Sequence, residues 1–142
     1  MKKIFIPAVF LVFLSSAVFA QKLKASKVPA VVKASFAKEY PGTVAKWEKE
    51  NGKYEVSFTK HGNRMSLTIE PNGSITETEM NIKVIELPAD VMAYVKKHYP
   101  GMNIKEAAKI TKADRTINYE TEVNGKDLVF DANGKFIRET KD

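Results

Sequence analysis

The amino-acid sequence predicts an α+β fold of two tandem repeats, each a helix followed by a four-stranded antiparallel sheet. Three observations predict it. The segment VPAVVKASFAKEYPG (28–42) recurs as LPADVMAYVKKHYPG (87–101). Four runs of alternating apolar and polar residues follow each copy, which is the pattern of strands with one buried face. Asn-Gly pairs, which favour tight hairpin turns, separate several of these runs. We therefore expect both helices to pack on one sheet face and a polar face to stay open.

Each recurring segment carries an apolar residue at every fourth position, which places these residues along one side of a helix. A proline follows the first apolar residue, and the first turn of a helix tolerates proline because its N–H is unpaired there anyway. The Tyr-Pro-Gly motif ends each helix, since proline disfavours the helical conformation at the preceding residue. The apolar positions are Val28, Val32, Phe36 and Tyr40 in the first copy, and Leu87, Val91, Val95 and Tyr99 in the second.

Eight strands are predicted from the alternating runs. Val56 and Phe58 represent their apolar face, and Glu55 and Ser57 represent the polar face. The segment 77–86 joins the repeats and contains no glycine or proline, so we expect it to be extended and attached. The sequence leaves open whether the two sheets join into one surface. The strand ranges are 43–50, 53–60, 64–70 and 74–80 in the first repeat, and 103–111, 115–123, 126–131 and 135–140 in the second.

The first twenty residues have the features of a secretory signal peptide. A basic start precedes an apolar run, and Val18 and Ala20 are the small residues that a signal peptidase reads. A membrane anchor is the alternative, but the run is broken by a proline and is short for a spanning helix, which needs ~20 apolar residues. The processed protein is therefore expected to be periplasmic or secreted, without membrane insertion. The predicted domains are the signal peptide (1–20), the first repeat with its connecting strand (21–86) and the second repeat (87–142).

Composition and charge exclude several classes of protein. The 142-residue chain has no cysteine, which removes disulfides, thiolate metal sites and a cysteine nucleophile. Its net charge of +6 falls to +4 without Lys2 and Lys3, and lysine and glutamate interleave in both repeats. A nucleic-acid-binding protein usually concentrates its positive charge on one face or arm. We therefore expect no nucleic-acid partner, and a chain of ordinary domain size that acts as a monomer.

The sequence contains no catalytic motif, so we predict that the protein is not an enzyme and that it needs no cofactor or metal ion. Its two histidines, His61 and His98, have no second ligand or base at motif spacing. No serine lies in a nucleophile-elbow pattern. The glycines lie in or near turns and not in a phosphate-binding loop.

Candidate binding residues of the first repeat are Trp47, Lys49, Glu55 and Ser57. A tryptophan exposed beside lysine and glutamate is a typical hot spot for a protein partner. The counterpart of Trp47 in the second repeat is Glu106, and a position that is acidic in one copy is rarely deep in the core of both. The alternative is that Trp47 belongs to the core, since tryptophan is usually at least partly buried.

Candidate binding residues of the second repeat are Glu120 and Glu122. Together with Asp127 and Asp131 they would crowd one sheet face if the two strands that carry them pair. Oxygen ligands of this kind suit a cation such as calcium. The alternative is a solvated acidic face that is balanced by neighbouring lysine and arginine side chains.

As a set, these motifs resemble the PepSY-like, beta-lactamase-inhibitor-protein-like family of periplasmic proteins that is common in Bacteroidetes-type bacteria. The shared features are two copies of an apolar-Pro start, a helix, Tyr-Pro-Gly, and hairpins such as WEKENGKYEV (47–56), and they extend from about Val28 to Lys141. The resemblance implies tandem helix-plus-sheet units that present a sheet surface to an enzyme. Related PepSY modules are proposed to restrain peptidases. The chain differs from the true inhibitor in lacking cysteines.

Two functions follow as hypotheses from these patterns. In the first, the protein is an exported, non-catalytic binding module that docks an envelope protein or peptide through its open sheet face, with inhibition of an envelope enzyme as one form of this. In the second, it is a small-ligand or calcium sensor that uses the acidic face of the second repeat. The substitution Trp47→Ala is expected to damage only the first activity.

Overall fold

The structure, a computed structural model, describes residues 20–141, and in this range the chain forms nine strands and two helices. The predicted signal peptide lies outside the described residues, except for its last residue. A short 3-10 turn precedes each helix. The elements are β1 (Gln21–Leu23), α1 (Ala30–Glu39), β2 (Ala45–Glu50), β3 (Lys53–Lys60), β4 (Asn63–Ile69), β5 (Ile75–Ile82), α2 (Ala89–His98), β6 (Ile104–Lys112), β7 (Ile117–Val123), β8 (Lys126–Asp131) and β9 (Phe136–Lys141).

The nine strands form one antiparallel sheet in which every strand pairs with its neighbours in the chain. The predicted α+β class is confirmed, and the question that the sequence left open is answered by β5 and β6, which pair from Glu77↔Lys112 to Ile82↔Ala107. The sheet has one strand more than predicted because β1 adds to the edge of β2. Three residues are too few to produce a readable alternation of apolar and polar side chains.

Both helices begin and end where the sequence places their signals. Pro29 and Pro88 are the N-cap residues, with φ of −55° and −54°. Tyr40 and Tyr99 are the C-cap residues, and the N–H of Tyr40 donates to the carbonyl of Phe36 at 2.9 Å. The following Pro-Gly pair turns the chain into the next strand, because proline cannot continue the helix.

The core lies between the two helices and one face of the sheet. Residues paired across antiparallel strands point to the same face, and the pairing places the residues that contact α1 and α2 on the same side of the sheet. The first cluster contains Val32, Phe36, Trp47, Tyr54, Val56, Phe58, Leu67 and Ile69, and the second contains Val91, Val95, Ala107, Val123, Leu128 and Phe130.

The tip of the β8–β9 hairpin rests on the start of α2. The N–H of Asp131 donates to the carbonyl of Lys135, and the N–H of Gly134 donates to the carbonyl of Asp131, both at 2.9 Å. Gly134 has a φ of +85°, and a Cβ atom there would lie 2.9 Å from the Cβ of Asp90. Only glycine fits this approach without strain. The β4–β5 hairpin has the same pair of hydrogen bonds and approaches α1 in the same way.

Candidate functional site

The sheet face opposite the helices, which we call the open face, is covered by neither helix. Strand alternation and register define its side chains. One row of paired residues crosses it from the first half of the chain to the second, and consists of Lys46, Ser57, Ser66, Glu79, Ile110, Asn118 and Asp131. Because β5 pairs with β6, this surface is continuous over both halves of the chain.

A groove of about 710 Å³ lies on the open face. Charged and hydroxyl side chains line this groove, together with residues 43–46, which follow α1 in the chain. A smaller cavity of about 50 Å³ shares Glu79, Asn81 and Glu106 with it, so the two form one depression across the junction of β5 and β6. The polar lining includes Lys46, Glu55, Ser57, Arg64, Glu79 and Glu106 in the large groove, and Glu120, Glu122 and Asp127 in the small cavity.

Glu79 is at the centre of this depression, on the fifth of nine strands. Its pKa is raised above the usual value, chiefly because burial removes water from the carboxylate, and then because the carboxylates of Glu55 and Glu77 repel its negative charge. Asp127 and Glu106 add to the same effect. The centre of the groove is therefore a place where negative charge is poorly compensated.

Glu55 is the second carboxylate in the groove with a raised pKa. Burial is the larger cause, and repulsion by Glu48 and Glu50 adds to it. The hydroxyls of Ser57 and Ser66 donate hydrogen bonds to the carboxylate and lower its pKa in part. The predicted pair Glu55 and Ser57 thus acts as one hydrogen-bonded unit of the groove wall.

Ion pairs flank the depression. Arg64 lies 3.1 Å from the carboxylate of Glu106, and Lys105 lies 3.0 Å from the carboxylate of Glu122. The cations of both pairs are largely exposed, so each pair contributes only about 0–1 kcal/mol to stability. Among the described residues Glu79 takes part in none of the ion pairs.

Of the two alternatives for Trp47, the structure confirms the core and contradicts an exposed contact for a partner. Its side chain is 7% exposed and its ring meets the ring of Phe36 edge to face, with 5.6 Å between the centroids. Lys49 lies on the same, helix-side face, with its ammonium 5.5 Å from the ring centre of Tyr54. Trp47 and Lys49 therefore do not belong to the open face that carries Glu55.

In the alignment of the two repeats Trp47 corresponds to Glu106, but the two residues lie on opposite faces of the sheet because β6 contains a bulge. The pairing of β6 with β7 shifts by one residue between Ile104 and Glu106. A bulge of this kind turns the following residues to the opposite face. Glu106 consequently lies on the open face, and Ala107 takes the place in the core that corresponds to Trp47.

Glu120 and Glu122 lie on the open face with Asp127, and Glu122 is paired directly with Asp127. Asp131 is used differently, because its Oδ1 accepts hydrogen bonds from the backbone N–H groups of Asn133 and Lys135 at 2.9 Å. This carboxylate closes the hairpin turn. In residues 20–141 no group of three or more His, Asp or Glu side chains is placed to hold a metal ion.

The sequence reasoning missed Glu79 and Glu106 as site residues. Glu79 lies in the predicted strand 74–80 and in the connecting segment 77–86, but the sequence analysis gave it no place in a site. Its alternation with Thr78 and Met80, which point to the helix side, was the signal that could have found it. Glu106 could not be assigned to a face without knowing the bulge.

A family model described as "Putative beta-lactamase-inhibitor-like, PepSY-like" matches the sequence twice, at residues 18–77 and 74–138. The chain belongs to this family. The resemblance found in the sequence is thereby confirmed. The description of the PepSY-like family is inhibitor-like and names no reaction. None of the curated proteins matches the sequence.

Solved structures from Bacteroides share this fold. A periplasmic protein from Bacteroides eggerthii superimposes with a TM-score of 0.71 at 15% identity, over 80% of this chain and 88% of that one. A DUF2874 family protein from Bacteroides uniformis superimposes with a TM-score of 0.69 at 18% identity, over 79% of this chain and 88% of that one. A BLIP-like protein from Bacteroides fragilis superimposes with a TM-score of 0.61 at 18% identity, over 79% of this chain and 84% of that one. The periplasmic relative agrees with the predicted periplasmic or secreted location. Neither helix in residues 20–141 has the length and apolarity needed to cross a membrane.

Proposed function

We propose that this PepSY-like protein is a non-catalytic binding module of the periplasm, and that its open face docks a protein or peptide. Inhibition of an envelope enzyme is the form of this function that the family description favours. The observation that carries the proposal is the continuous groove on the open face with Glu79 at its centre. Of the candidate binding residues predicted from the sequence, four lie on this face, namely Glu55, Ser57, Glu120 and Glu122.

The chemistry of the groove selects a basic partner surface. A lysine or arginine side chain that enters the groove would compensate the negative charge of Glu79 and Glu55. Such charge-assisted hydrogen bonds are stronger than neutral ones, and their electrostatic energy is more favourable where water is excluded. Complementary charge also speeds encounter and makes binding sensitive to salt. We therefore expect affinity to fall as the ionic strength rises.

Each half of the chain contributes to this docking surface. We propose the repeats at 21–86 and 87–142 as the two units, joined by β5 and β6 into one sheet. A stable protein complex buries about 800 Å² on each partner. The open face of nine strands can supply such an area from one chain, so we propose that the protein acts as a monomer.

The test is capture of a partner from an envelope extract by the exported, processed protein, with two charge-reversal variants. Glu79→Lys places a positive charge in the groove. Glu39→Lys makes the same change at the exposed end of α1 and is the matched control. Both variants are first checked for native thermal unfolding. We expect a partner that is retained by the native protein and by Glu39→Lys, is lost with Glu79→Lys, and is released by salt.

Two outcomes would contradict the proposal. One is a partner that binds Glu79→Lys as well as the native protein, because the groove would then not be the contact. The other is no partner at all, together with a melting temperature that rises with calcium and responds to substitution of Glu120. That result would support the calcium-sensor hypothesis in its place. No observation on the described residues favours that second hypothesis now.

A further inference from the structure

The layer formed by the two helices and their leading turns, residues 24–39 and 83–98, carries an excess of positive charge. We call this surface the helix layer. It contains seven lysines and three acidic residues, and six of the lysines are exposed. The acidic residues are Glu39, Glu86 and Asp90, and the lysines are Lys24, Lys27, Lys33, Lys38, Lys83, Lys96 and Lys97.

The opposite charge is concentrated on the open face. Strand register places ten carboxylates and six cations on it, so its charge is net negative. The modest net charge of the whole chain therefore conceals a molecule with one acidic side and one basic side. The carboxylates are Glu48, Glu50, Glu55, Glu77, Glu79, Glu106, Glu120, Glu122, Asp127 and Asp131, and the cations are Lys22, Lys46, Lys53, Arg64, Lys112 and Arg138.

Apolar side chains are exposed among the lysines of the helix layer. Ile85 is 89% exposed in the turn before α2, Val31 is 47% exposed on α1, and Met92 is 43% exposed on α2. In the middle of the two outer surfaces the exposed residues Ala34 and Ala93 are small. Such a surface lets the helix backbone come close to a flat partner, with long lysine side chains around it.

We propose that the helix layer binds the surface of an anionic lipid membrane. Lysines attract anionic headgroups, while exposed apolar side chains enter the boundary between headgroups and acyl chains. Every cation of the helix layer is a lysine and none is an arginine. Nucleic-acid recognition favours arginine for its fixed fork of donors. An acidic protein partner would not need the exposed Ile85 and Met92 around which the charges lie.

The arrangement has a consequence for the open face. Both helices lie on one side of the sheet, so a membrane bound by the helix layer leaves the groove around Glu79 directed away from the lipid. Membrane binding and protein docking would therefore use separate surfaces. The proposal is independent of the proposed function, since either can hold without the other.

The experiment is sedimentation of the exported, processed protein with phosphatidylcholine vesicles, prepared with and without phosphatidylglycerol. The first variant carries Lys38→Glu and Lys97→Glu, which reverse charge on the outer side of each helix. Its matched control carries Lys38→Arg and Lys97→Arg, which keep the charge. Glu79→Gln is the control for the open face. We expect binding only to the anionic vesicles, a loss on the order of tenfold with the glutamate variant, and native binding by both controls.

The contribution of the apolar side chains is tested with Met92→Ser. This exposed position tolerates a polar residue, so the variant is expected to fold, and native thermal unfolding verifies this. We expect weaker binding to anionic vesicles and unchanged retention on a heparin column, which offers anionic charge without lipid. Equal binding to neutral and anionic vesicles, or native binding by the glutamate variant, would overturn the proposal. A Met92→Ser variant that binds vesicles as the native protein does would point to a soluble polyanion and would overturn it as well.

Discussion

Replacing Trp47 with alanine should remove much of the free energy of unfolding and leave the docking surface unchanged. Its indole ring is 7% exposed and packs on the helix side of the sheet. It meets the ring of Phe36 edge to face at 5.6 Å. The substitution would leave a cavity between α1, β2 and β3, because surrounding side chains relax only in part.

The magnitude follows from the buried area. An aromatic side chain buries about 150–250 Å², and each Å² of apolar surface is worth about 25 cal/mol, which gives roughly 4–6 kcal/mol. Large-to-alanine changes at aromatic positions cost about 3–5 kcal/mol, and we expect the loss within this range. Domains of this size are stable by roughly 5–15 kcal/mol, so the variant would be close to the limit of folding.

Urea unfolding followed by circular dichroism measures this loss. Lys49→Ala is the matched control, since Lys49 lies on the same strand and face but is exposed. We expect a change below about 0.5 kcal/mol for the control. A loss below about 1 kcal/mol for Trp47→Ala would refute the packing described here. It would instead indicate that the indole ring is accessible, as the hot-spot hypothesis assumed.

Three further predictions concern charge, backbone and a buried hydroxyl. Because folding raises the pKa of Glu79, the folded protein keeps this proton to a higher pH than the unfolded chain does. Stability should therefore fall as the pH rises from the ordinary glutamate range through the raised pKa. In urea titrations at several pH values, Glu79→Gln should show a smaller fall and a higher stability at neutral pH than the native protein. Gly134→Ala should cost about 2–3 kcal/mol, from its positive φ and the contact with Asp90, and more than Gly52→Ala, which meets open space; equal thermal shifts would contradict this. Thr121→Val should stabilise by about 1 kcal/mol, because the Thr121 hydroxyl is buried without a hydrogen-bond partner, and a lower unfolding midpoint would show that the hydroxyl is satisfied.

The helices and hairpins could be predicted because their signals are local. Proline at the start and Tyr-Pro-Gly at the end mark each helix within one or two residues. Asn-Gly pairs and alternation mark the hairpins, for example at Asn124 and Gly125, both of which have positive φ. These signals depend on backbone geometry that few residues tolerate, so they can be read from one sequence.

The composition of the site could not be predicted because it depends on distant pairing. The junction of β5 with β6 brings Glu79 beside the second half of the chain, and nothing local in residues 77–86 indicates that pairing. The bulge before Glu106 turns Glu106 and the residues after it to the opposite face, and the same shift invalidated the comparison with Trp47. The acidic open face and the basic helix layer become separate only when the register of all nine strands is known.

Carboxylate footprinting of the protein with its captured partner tests the docking claim most directly. A carbodiimide and an amine label accessible glutamate and aspartate side chains, and mass spectrometry locates each label. We predict that the partner protects Glu55, Glu106 and Glu120 on the open face, while Glu39 and Asp90 on the helix layer stay labelled. Protection of Glu39 and Asp90 with unchanged labelling of the open face would contradict the account, because the partner would then bind the opposite side of the molecule.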